Sequence, residues 1–373
     1  MEVIKGKYAD AKVFADDMEQ YARAQIQMIC DNESSEGSRI RIMPDVHPGK
    51  IGPIGLTMTV NKRSLPGLVG IDIGCGVHLV EISGFRPDHR KLDTVIRDHV
   101  PSGSAIRNTA SGLAERLKLE ELACVRHINK EKAVHSLGTL GGGNHFIEID
   151  MDEDRNAYLT IHTGSRHLGK EVADFYMREG QKKLKDRGMD IPYEMTFLEG
   201  KLMEDYLHDI QIVQDFAFIN RMAISKEIMN GMKWDTVNRV DCVHNYVRKE
   251  SGMYLLRKGA ISAKKDETVV IPANMKDGVI LGTGKGNEEW NNSAPHGTGR
   301  IERRDQVRRH HTLSEFRKTM EGVYSQSIRK DTLDEAPFAY RGLDQITEVI
   351  GETVQTEKIL KPVYSFKAGG DVR

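Results

Sequence analysis

The order of apolar and polar residues along this chain predicts a mixture of strands and helices. Six short stretches rich in branched apolar residues predict β-strands. They are 77–82, 145–150, 157–162, 242–247, 268–272 and 278–282. From Leu202 to Ile228, apolar residues recur every three or four positions, which predicts one long helix with an apolar face. A shorter helix is predicted from Leu343 to Val354.

These predicted elements lack the regular alternation of strand and helix that builds a doubly wound parallel sheet. The fold class is therefore predicted to be α+β, with mixed sheets and surrounding helices. Candidate functional residues come at or near the ends of the predicted strands, so an active site is expected at strand ends. Neither an internal repeat nor a low-complexity linker divides the 373 residues, which predicts a single domain over 1–373.

Composition and charge limit the classes of function. With a formal net charge of -1 and a pI near 6.9, the chain would not be held to nucleic acid by its overall charge. An RNA partner would need a local basic surface, for which the candidates are 182–187, 257–265 and 299–311, although the first is more typical of a solvated helix face. The charged amino terminus and the lack of a long apolar run predict a cytoplasmic protein. Four scattered cysteines are too few for a disulfide framework, which leaves metal binding or catalysis as their chemistry.

Five residues of types that bind metals lie beside glycine-rich turns or at the ends of predicted strands. They are Asp72, Cys75, His145, His162 and His244. Each one alone is more often a hydrogen-bonded structural residue, but their shared position favours a site for a divalent ion. Ligand type alone would point to zinc, because thiolate and imidazole suit it well while manganese prefers carboxylate and water, but first principles stop short of naming the metal.

A second candidate is His296, in the stretch NNSAPHGTGRIERR at 291–304. Small residues surround this histidine and leave room for other groups to approach it. Arg300, Arg303 and Arg304 follow within about two helical turns, and guanidinium groups suit phosphate oxygens. The stretch is interpreted as a phosphate site, and an ordinary surface turn before a charged helix is the alternative.

Seven motifs of the chain, taken in order, resemble those of the RtcB family of RNA-splicing ligases. They are MPDVHPGKIGPIG (43–55), GIDIGCGV (70–77), GGGNHFIEI (141–149), HTGSR (162–166), HNYV (244–247), RKGAISA (257–263) and APHGTGR (294–300). The similarity runs from about Ile40 to the carboxyl terminus. In PANMKDG (272–278), Asn274 stands where typical members have serine, beside an apparent two-residue deletion, and Gly74 stands where they have asparagine. These departures and the short length indicate a bacterial paralogue suited to RNA repair.

The resemblance implies an enzyme that uses GTP and two Mn²⁺ ions to seal RNA. It would join an RNA 3'-phosphate, or a 2',3'-cyclic phosphate after opening it, to a 5'-hydroxyl. Carried over by motif, Asp72, Cys75 and His145 would hold one manganese ion. Cys75, His162 and His244 would hold the second ion, with the thiolate bridging the two.

The resemblance also implies a nucleophile and a nucleotide pocket. His296 would attack the α-phosphate of GTP and become guanylylated, which leads to an RNA 3'-phosphate-GMP intermediate. An imidazole has an unperturbed pKa of about 6.5 and is therefore largely neutral and nucleophilic at pH 7. Arg166, Arg300 and Arg304 would neutralise phosphate charge. The expected nucleotide contacts are Asn144, His145, Glu148, His244, Asn245, Asn274, Met275, His296, Gly297, Thr298, Gly299, Tyr340 and Lys367.

Two other functions would use parts of the same residue set. A binuclear metal-dependent phosphoesterase would need the Asp, Cys and His cluster, but it would need neither His296 nor a guanine pocket. A non-catalytic RNA-binding subunit would keep the fold and a basic surface while losing ligands. Because every ligand that the resemblance implies is present, the sequence favours the ligase.

Overall fold

The computed structural model describes residues 1–369 and contains two large β-sheets. The strands in these residues are β1 (Glu2–Lys5), β2 (Asp10–Val13), β3 (Ile40–His47), β4 (Ile54–Val60), β5 (Arg63–Ser64), β6 (Gly76–Ser83), β7 (Phe146–Met151), β8 (Ala157–Thr163), β9 (Leu198–Glu199), β10 (Asp235–Val243), β11 (Asn245–Glu250), β12 (Met253–Lys258), β13 (Ala260–Ser262), β14 (Thr268–Asn274), β15 (Gly278–Gly284), β16 (Ser293–Pro295) and β17 (Val354–Lys367).

Helices cover the sheets and connect them. The α-helices in the described residues are α1 (Gln20–Cys30), α2 (Pro66–Val69), α3 (His89–His99), α4 (Lys130–Ser136), α5 (Arg166–Asp186), α6 (Gly200–Met232), α7 (Arg304–His310), α8 (Leu313–Thr319) and α9 (Leu343–Ile350). Between residues 1 and 369, no helix is both long enough and apolar enough to cross a membrane.

The two sheets are almost entirely antiparallel. The first has the strand order β1-β2-β3-β4-β12-β11, and its β2–β3 pair is parallel. The second has the order β10-β6-β8-β7-β17-β15-β14 and is antiparallel throughout. Two shorter pairs, β13 with β16 and β5 with β9, lie outside these sheets. The predicted α+β class is confirmed.

The long helix α6 packs against both sheets and joins their apolar cores. In its first half, Tyr206 and Ile210 are buried in the same cluster as Leu256 of the first sheet. In its second half, Ile228 is buried in the same cluster as Ile147 of the second sheet. Burial of apolar side chains along most of its length explains the helical period seen in the sequence, and the predicted helix is confirmed.

Most predicted elements lie where the sequence placed them, with two exceptions. The stretch 242–247 is not one strand, because the chain leaves the second sheet with β10 and enters the first with β11. His244 is the single residue between them. The helix predicted over 343–354 ends at Ile350, because Val354 already begins β17 and pairs within the second sheet.

The stretch 257–265 is not the basic surface that its composition predicted. Arg257 is buried, and its two Nη atoms donate to Glu250 at 2.7 and 3.3 Å. Lys258 is also buried, and burial lowers its pKa to about 8. Lys264 and Lys265 are exposed. Arg257 and Lys258, the first two residues of the motif RKGAISA, therefore belong to the protein interior.

A buried arginine of α6 ties this helix to three segments at the strand ends. Arg221 is fully buried and donates two hydrogen bonds to Asp241 of β10, at 2.7 and 2.8 Å. Its Nη1 donates to the carbonyl oxygens of Gly74 and Thr163, each at 2.8 Å. Burial alone would raise the pKa of Asp241, but Arg221 lowers it to about 2. One guanidinium thus fixes β10, the turn before β6 and the end of β8 relative to one another.

Substitution of this arginine should destabilise the fold. Arg221→Met leaves Asp241 buried without its cation, so the free energy of unfolding should fall by about 3–5 kcal/mol. Urea unfolding measures the change, and Lys226→Met, at an exposed position of the same helix, is the matched control. Equal stability of the two variants would show that Arg221 does not organise these segments.

Candidate active site

The metal-capable residues come together where the two sheets meet. Cys75 directly precedes β6, His145 directly precedes β7, and His162 lies near the end of β8. Since β8 pairs with both β6 and β7, these three positions lie at the same end of three neighbouring strands of the second sheet. His244 joins them because the chain changes sheet at that residue, and its backbone N–H donates to the Cys75 carbonyl at 2.8 Å.

The cluster forms two groups that share one thiol. In the first, His145 Nε2 lies 3.1 Å from Asp72 Oδ2 and 3.6 Å from Cys75 Sγ. In the second, His162 Nε2 lies 3.3 Å from Cys75 Sγ and 3.3 Å from His244 Nε2. Within each group the potential ligand atoms lie within 4.8 Å of one another. The two groups have the same members as the two ligand sets that the resemblance implied.

Hydrogen bonds to the backbone leave nitrogen lone pairs facing the thiol. His145 Nδ1 donates to Leu140 O at 2.8 Å, and His162 Nδ1 donates to Asn144 O at 3.1 Å. Each Nε2 therefore carries a lone pair and no proton. The single thiol proton of Cys75 can satisfy only one of these nitrogens. A divalent cation in each group would satisfy all of them, so the residues fit metal ions.

The charges at the cluster also fit a cation. Burial and the Asp72 carboxylate raise the pKa of the Cys75 thiol well above its usual range. A coordinated divalent ion has the opposite effect and deprotonates a thiol. Burial opposes ionisation of Asp72, but His145, when its ring is protonated, holds the pKa of that carboxyl below its usual range. A Cβ at Gly164 would lie 2.1 Å from Asp72 Oδ1, so a glycine is needed to leave room for this carboxylate.

The glycine before Cys75 is explained by its contact with α6. Gly74 has a φ of 74°, in the left-handed region, and its N–H donates to Asn245 O at 2.7 Å. A Cβ there would lie 2.8 Å from the Ala217 Cβ and 3.0 Å from the Gln214 Cα of α6. A larger side chain would therefore not fit at this spacing between the turn and α6.

His296 is oriented by a buried carboxylate. It directly follows β16, and its Nδ1 donates to Asp45 Oδ2 at 2.7 Å. Asp45 is fully buried on β3, so the bond leaves the lone pair of His296 on Nε2. The His296 ring lies 4.9 Å from the His244 ring, between centroids. Sequence analysis assigned no role to Asp45, although its acidic side chain in a proline- and glycine-rich motif was the available signal.

A cavity of about 550 Å³ opens beside His296. Most residues predicted to contact a nucleotide or its phosphates lie on its wall: Asn144, Glu148, His244, Asn274, Met275, His296, Gly297, Thr298, Gly299, Arg300, Arg304, Tyr340 and Lys367. His162 also lies there, so the cavity touches the second metal-capable group. Among the described residues, His145, Asn245 and Arg166 lie off this wall.

Glu335 binds four of the residues that surround the cavity. Its carboxylate accepts from Tyr340 Oη at 2.6 Å and from Lys367 Nζ at 2.9 Å, and it contacts Arg304 and, at 3.5 Å, Arg300. Burial alone would raise the pKa of Glu335, but Lys367 and the two arginines hold it well below the usual range. The cations predicted to meet phosphates therefore already have an anionic partner. Sequence analysis missed this residue, whose signal was its place in DEAPFAY.

Asp334, the neighbour of Glu335, extends this network of ion pairs. It accepts from Arg304 at 2.6 Å and from Arg308 at 3.0 Å, and its backbone carbonyl accepts from Arg300. Burial would lower the pKa of Arg304, but Glu335 and its other neighbours hold it above its usual range. A bound phosphate would therefore share these guanidinium groups with two acids.

Two predicted nucleotide contacts use their side chains within the protein. The Asn274 Oδ1 accepts from the backbone N–H groups of Lys276 and Asp277, each at 2.9 Å, and its Nδ2 donates to the Asp277 carboxylate at 2.8 Å. The Met275 side chain is buried in a cluster with Phe316. Both side chains are therefore engaged within the protein, although Asn274 and Met275 lie on the cavity wall.

Asn245 and Arg166 hold backbone segments next to the metal-capable groups. Asn245 Oδ1 accepts from Gly259 N at 2.9 Å, and its Nδ2 donates to Asp72 O at 3.4 Å. Arg166 Nη2 donates to Gly103 O at 2.8 Å, and its charge contributes to lowering the pKa of Asp72. Burial lowers the pKa of Arg166 itself. Asn245 therefore contacts the backbone of Asp72, Arg166 carries charge towards its carboxylate, and neither residue lines the cavity.

Metal analysis of single variants tests the shared thiol. Cys75→Ala removes a ligand from both groups and should lower bound divalent metal to near zero, whereas His244→Ala removes a ligand from one group and should leave about one ion. Elemental analysis after dialysis against excess Mn²⁺ or Zn²⁺ provides the count. Full and equal occupancy in both variants would contradict a bridging thiol.

The chain is similar in sequence to known RNA ligases. A family model described as "tRNA-splicing ligase RtcB" matches residues 34–122 and 110–368. Over 369 residues the chain is 28% identical to the RNA-splicing ligase RtcB of Escherichia coli strain K12, covering 88% of this chain and 90% of that protein. Over 413 residues it is 25% identical to the tRNA-splicing ligase RtcB of Pyrobaculum aerophilum, covering 86% and 85%. The chain therefore belongs to the RtcB family of RNA ligases.

Proposed function

We propose that this protein uses GTP and Mn²⁺ to join RNA 3'-phosphate or 2',3'-cyclic phosphate ends to 5'-hydroxyl ends. The observation that carries the proposal is the pairing of His296 with buried Asp45 on the wall of a cavity that also reaches His162 and His244. A nucleophile and part of a metal-capable cluster therefore lie on the wall of one cavity that a nucleotide could occupy. Each of these parts is required by a reaction that passes through a guanylylated histidine.

The hydrogen bond to Asp45 makes His296 suited to nucleophilic attack. With Nδ1–H donated to the carboxylate, the Nε2 lone pair attacks the α-phosphorus of GTP. A bond forms between nitrogen and phosphorus, the bond to the bridging oxygen breaks, and pyrophosphate leaves. Positive charge develops on the imidazole in this step, and Asp45 stabilises it.

A 2',3'-cyclic phosphate end would first be opened by water, which breaks the bond from phosphorus to the 2'-oxygen and leaves a 3'-phosphate and a 2'-hydroxyl. Two further transfers would then complete the reaction. An oxygen of the RNA 3'-phosphate attacks the same phosphorus and releases His296, which gives an RNA end capped with GMP. The 5'-hydroxyl oxygen of the second RNA then attacks the 3'-phosphorus, and GMP leaves. Arg300, Arg304 and Lys367 lie on the cavity wall. A bound phosphate would interact with these cations, which also pair with Asp334 and Glu335.

The metal-capable cluster would hold the two ions. Asp72, Cys75 and His145 would hold one, and Cys75, His162 and His244 would hold the other, with the backbone hydrogen bonds of His145 and His162 keeping their Nε2 atoms available. Bound Mn²⁺ would neutralise phosphate oxygens and make phosphorus more susceptible to attack. The choice of manganese rests on the family resemblance.

Glu148 supports guanine as the base. It is buried on the cavity wall, and its Oε1 accepts from Ser365 Oγ at 2.8 Å. Guanine presents two adjacent donors, N1–H and the exocyclic amine, which one carboxylate can accept together, whereas adenine presents an acceptor at N1. Burial raises the pKa of Glu148 to about 7, with Ser365 and Lys367 opposing the rise. The residue would therefore need to ionise in order to read guanine.

The two alternative functions leave features without a use. A metal-dependent phosphoesterase would not need a histidine held by a buried carboxylate outside the metal-capable groups. A non-catalytic RNA-binding subunit would need neither Asp45 nor the shared thiol of Cys75.

All four cysteines are free and buried, which fits a reducing compartment, so we place the enzyme in the cytoplasm.

Removal of the nucleophile should separate covalent chemistry from metal binding. His296→Ala should keep its manganese and fold but retain no label from α-labelled GTP after denaturation, and it should not seal RNA with a plain 3'-phosphate. It should join RNA whose 3'-phosphate is already capped with GMP, because the remaining step does not use the imidazole. His99→Ala, an exposed histidine, is the matched control.

Substitution of Asp45 should slow guanylylation without abolishing it. Asp45→Asn keeps a side chain of similar shape but loses the charge that stabilises the imidazolium, so guanylylation should slow by about 10²–10⁴-fold while manganese content stays unchanged.

Two results for His296→Ala would contradict the role of that residue. Loss of manganese from His296→Ala would make His296 a ligand. Normal labelling of His296→Ala would place the nucleophile elsewhere.

The affinity for GTP should depend on the ionisation of Glu148. Below pH 7 the carboxyl is largely protonated and cannot accept from both guanine donors, so affinity should rise by up to about tenfold per pH unit toward pH 7 and level off above it. Calorimetry from pH 6 to about pH 8.5 measures this rise, and Glu148→Gln shows how much of it comes from titration of the nucleotide phosphates. If wild type and Glu148→Gln share one pH profile, Glu148 does not read the base.

A further inference from the structure

The first 33 residues lie outside the part of the chain that the family model matches, yet they reach the cavity. Glu19 and Tyr21 both lie on its wall, at the exposed end that also includes Lys50, Arg303 and Asp305. We refer to these five residues as the mouth. The buried end of the cavity is where the residues matched to nucleotide binding lie, so the mouth is where a second, larger substrate would enter.

A pair of hydrogen bonds fixes α1 at the mouth. Gln25 Nε2 donates to Gly49 O at 2.8 Å, and Gly49 N donates to Gln25 Oε1 at 3.2 Å. Tyr21 is four residues before Gln25 on the same helix, so the two side chains lie on the same face. Ala22 and Ile26 are fully buried and anchor the helix to the core. The tyrosine is therefore carried on a rigid element beside the loop that contains Lys50.

Tyr21 presents a free aromatic surface at this position. It is 60% exposed, and within residues 1–369 it takes part in none of the aromatic stacks, cation–π contacts or side-chain hydrogen bonds of the structure. Lys50 is exposed and forms no ion pair with any described residue. The acids Glu19 and Asp305 offset the charge of Lys50 and Arg303. Attraction of a polyanion to the mouth therefore cannot rest on net charge alone.

We propose that Tyr21 stacks on the base of an unpaired nucleotide next to the RNA end, while Lys50 contacts its phosphate. This inference rests on the proposed RNA ligase function. Every base has a flat π-face, so an aromatic side chain holds single-stranded RNA without selecting its sequence. A stacked base would also keep the end unpaired as it enters the cavity. A mouth of balanced charge with one free aromatic side chain fits an unpaired end better than a duplex, which is bound mainly through its phosphates.

Binding of a single-stranded ten-nucleotide uridylate RNA with a 3'-phosphate tests the stacking contact. Fluorescence anisotropy is measured without GTP, so the result does not depend on guanylylation. Tyr21→Ala should weaken binding by about 5- to 150-fold, the range measured for loss of one stacked base. Tyr21→Phe and Tyr21→Trp should bind within about twofold of wild type because they keep the aromatic face. Tyr193→Ala, an exposed tyrosine that does not line the cavity, should bind as wild type does.

The salt dependence of the same titration tests the phosphate contact. Lys50→Met should reduce the slope of log affinity against log salt by about 0.7, the value for one phosphate contact on a single strand, whereas Tyr21→Ala should leave the slope unchanged. Wild-type affinity in Tyr21→Ala, or equal loss in the Ala, Phe and Trp variants, would overturn stacking. If wild type binds RNA through Tyr21 but takes no label from GTP, the proposed function fails while the stacking inference stands.

Discussion

A single buried guanidinium determines where the metal-capable residues lie. Arg221 bonds to Asp241 on β10, to the Gly74 carbonyl before Cys75, and to the Thr163 carbonyl after His162. These are three of the segments that meet at the junction of the two sheets. Because a buried charge must be paired, the helix, the turn and the strand ends cannot move independently without exposing Arg221 or leaving Asp241 alone. The positions of Cys75 and His162, which adjoin the two bonded carbonyl groups, follow from this constraint.

Pairing of buried charges also organises the cavity. His296 pairs with Asp45, and Glu335 holds Tyr340 and Lys367 together with two arginines. Each of these charged groups has at least one partner within the protein before any substrate binds. By contrast, the lone pairs around Cys75 remain unsatisfied, and the mouth of the cavity keeps a free aromatic side chain. The unsatisfied positions are those at which the proposal places metal ions and RNA.

Local sequence patterns predicted the long helix and the strands β6, β7, β8, β14 and β15, because the apolar period reflects burial on one face. The other long strands, such as β3, β4, β12 and β17, were not predicted. The patterns failed where the tertiary structure overrides the local pattern. The stretch 242–247 looks like one strand, and nothing in it shows that the chain changes sheet at His244. Arg257 and Lys258 looked like surface residues because their burial depends on partners distant in sequence, such as Asn291, whose carbonyl accepts from Arg257 at 3.3 Å.

The residues of the site were predicted by motif, but their roles depended on contacts. Asp45 and His296 are 251 positions apart, so no spacing rule joins them. Asn274 was recognised as a departure, yet only its hydrogen bonds within a turn show that its amide is not free. Residues that act through others, such as Glu335, leave almost no signal in a single sequence, because their function is set by what packs around them.

The central claim is that the imidazole of His296 carries GMP during the reaction. The most direct measurement is mass spectrometry of the wild-type protein after incubation with GTP and Mn²⁺, followed by digestion under neutral conditions that preserve a bond between nitrogen and phosphorus. The account predicts one GMP adduct, on the peptide that contains His296, and its loss after brief treatment with acid. An adduct on another peptide, such as one containing Lys258, or no adduct at all, would contradict it.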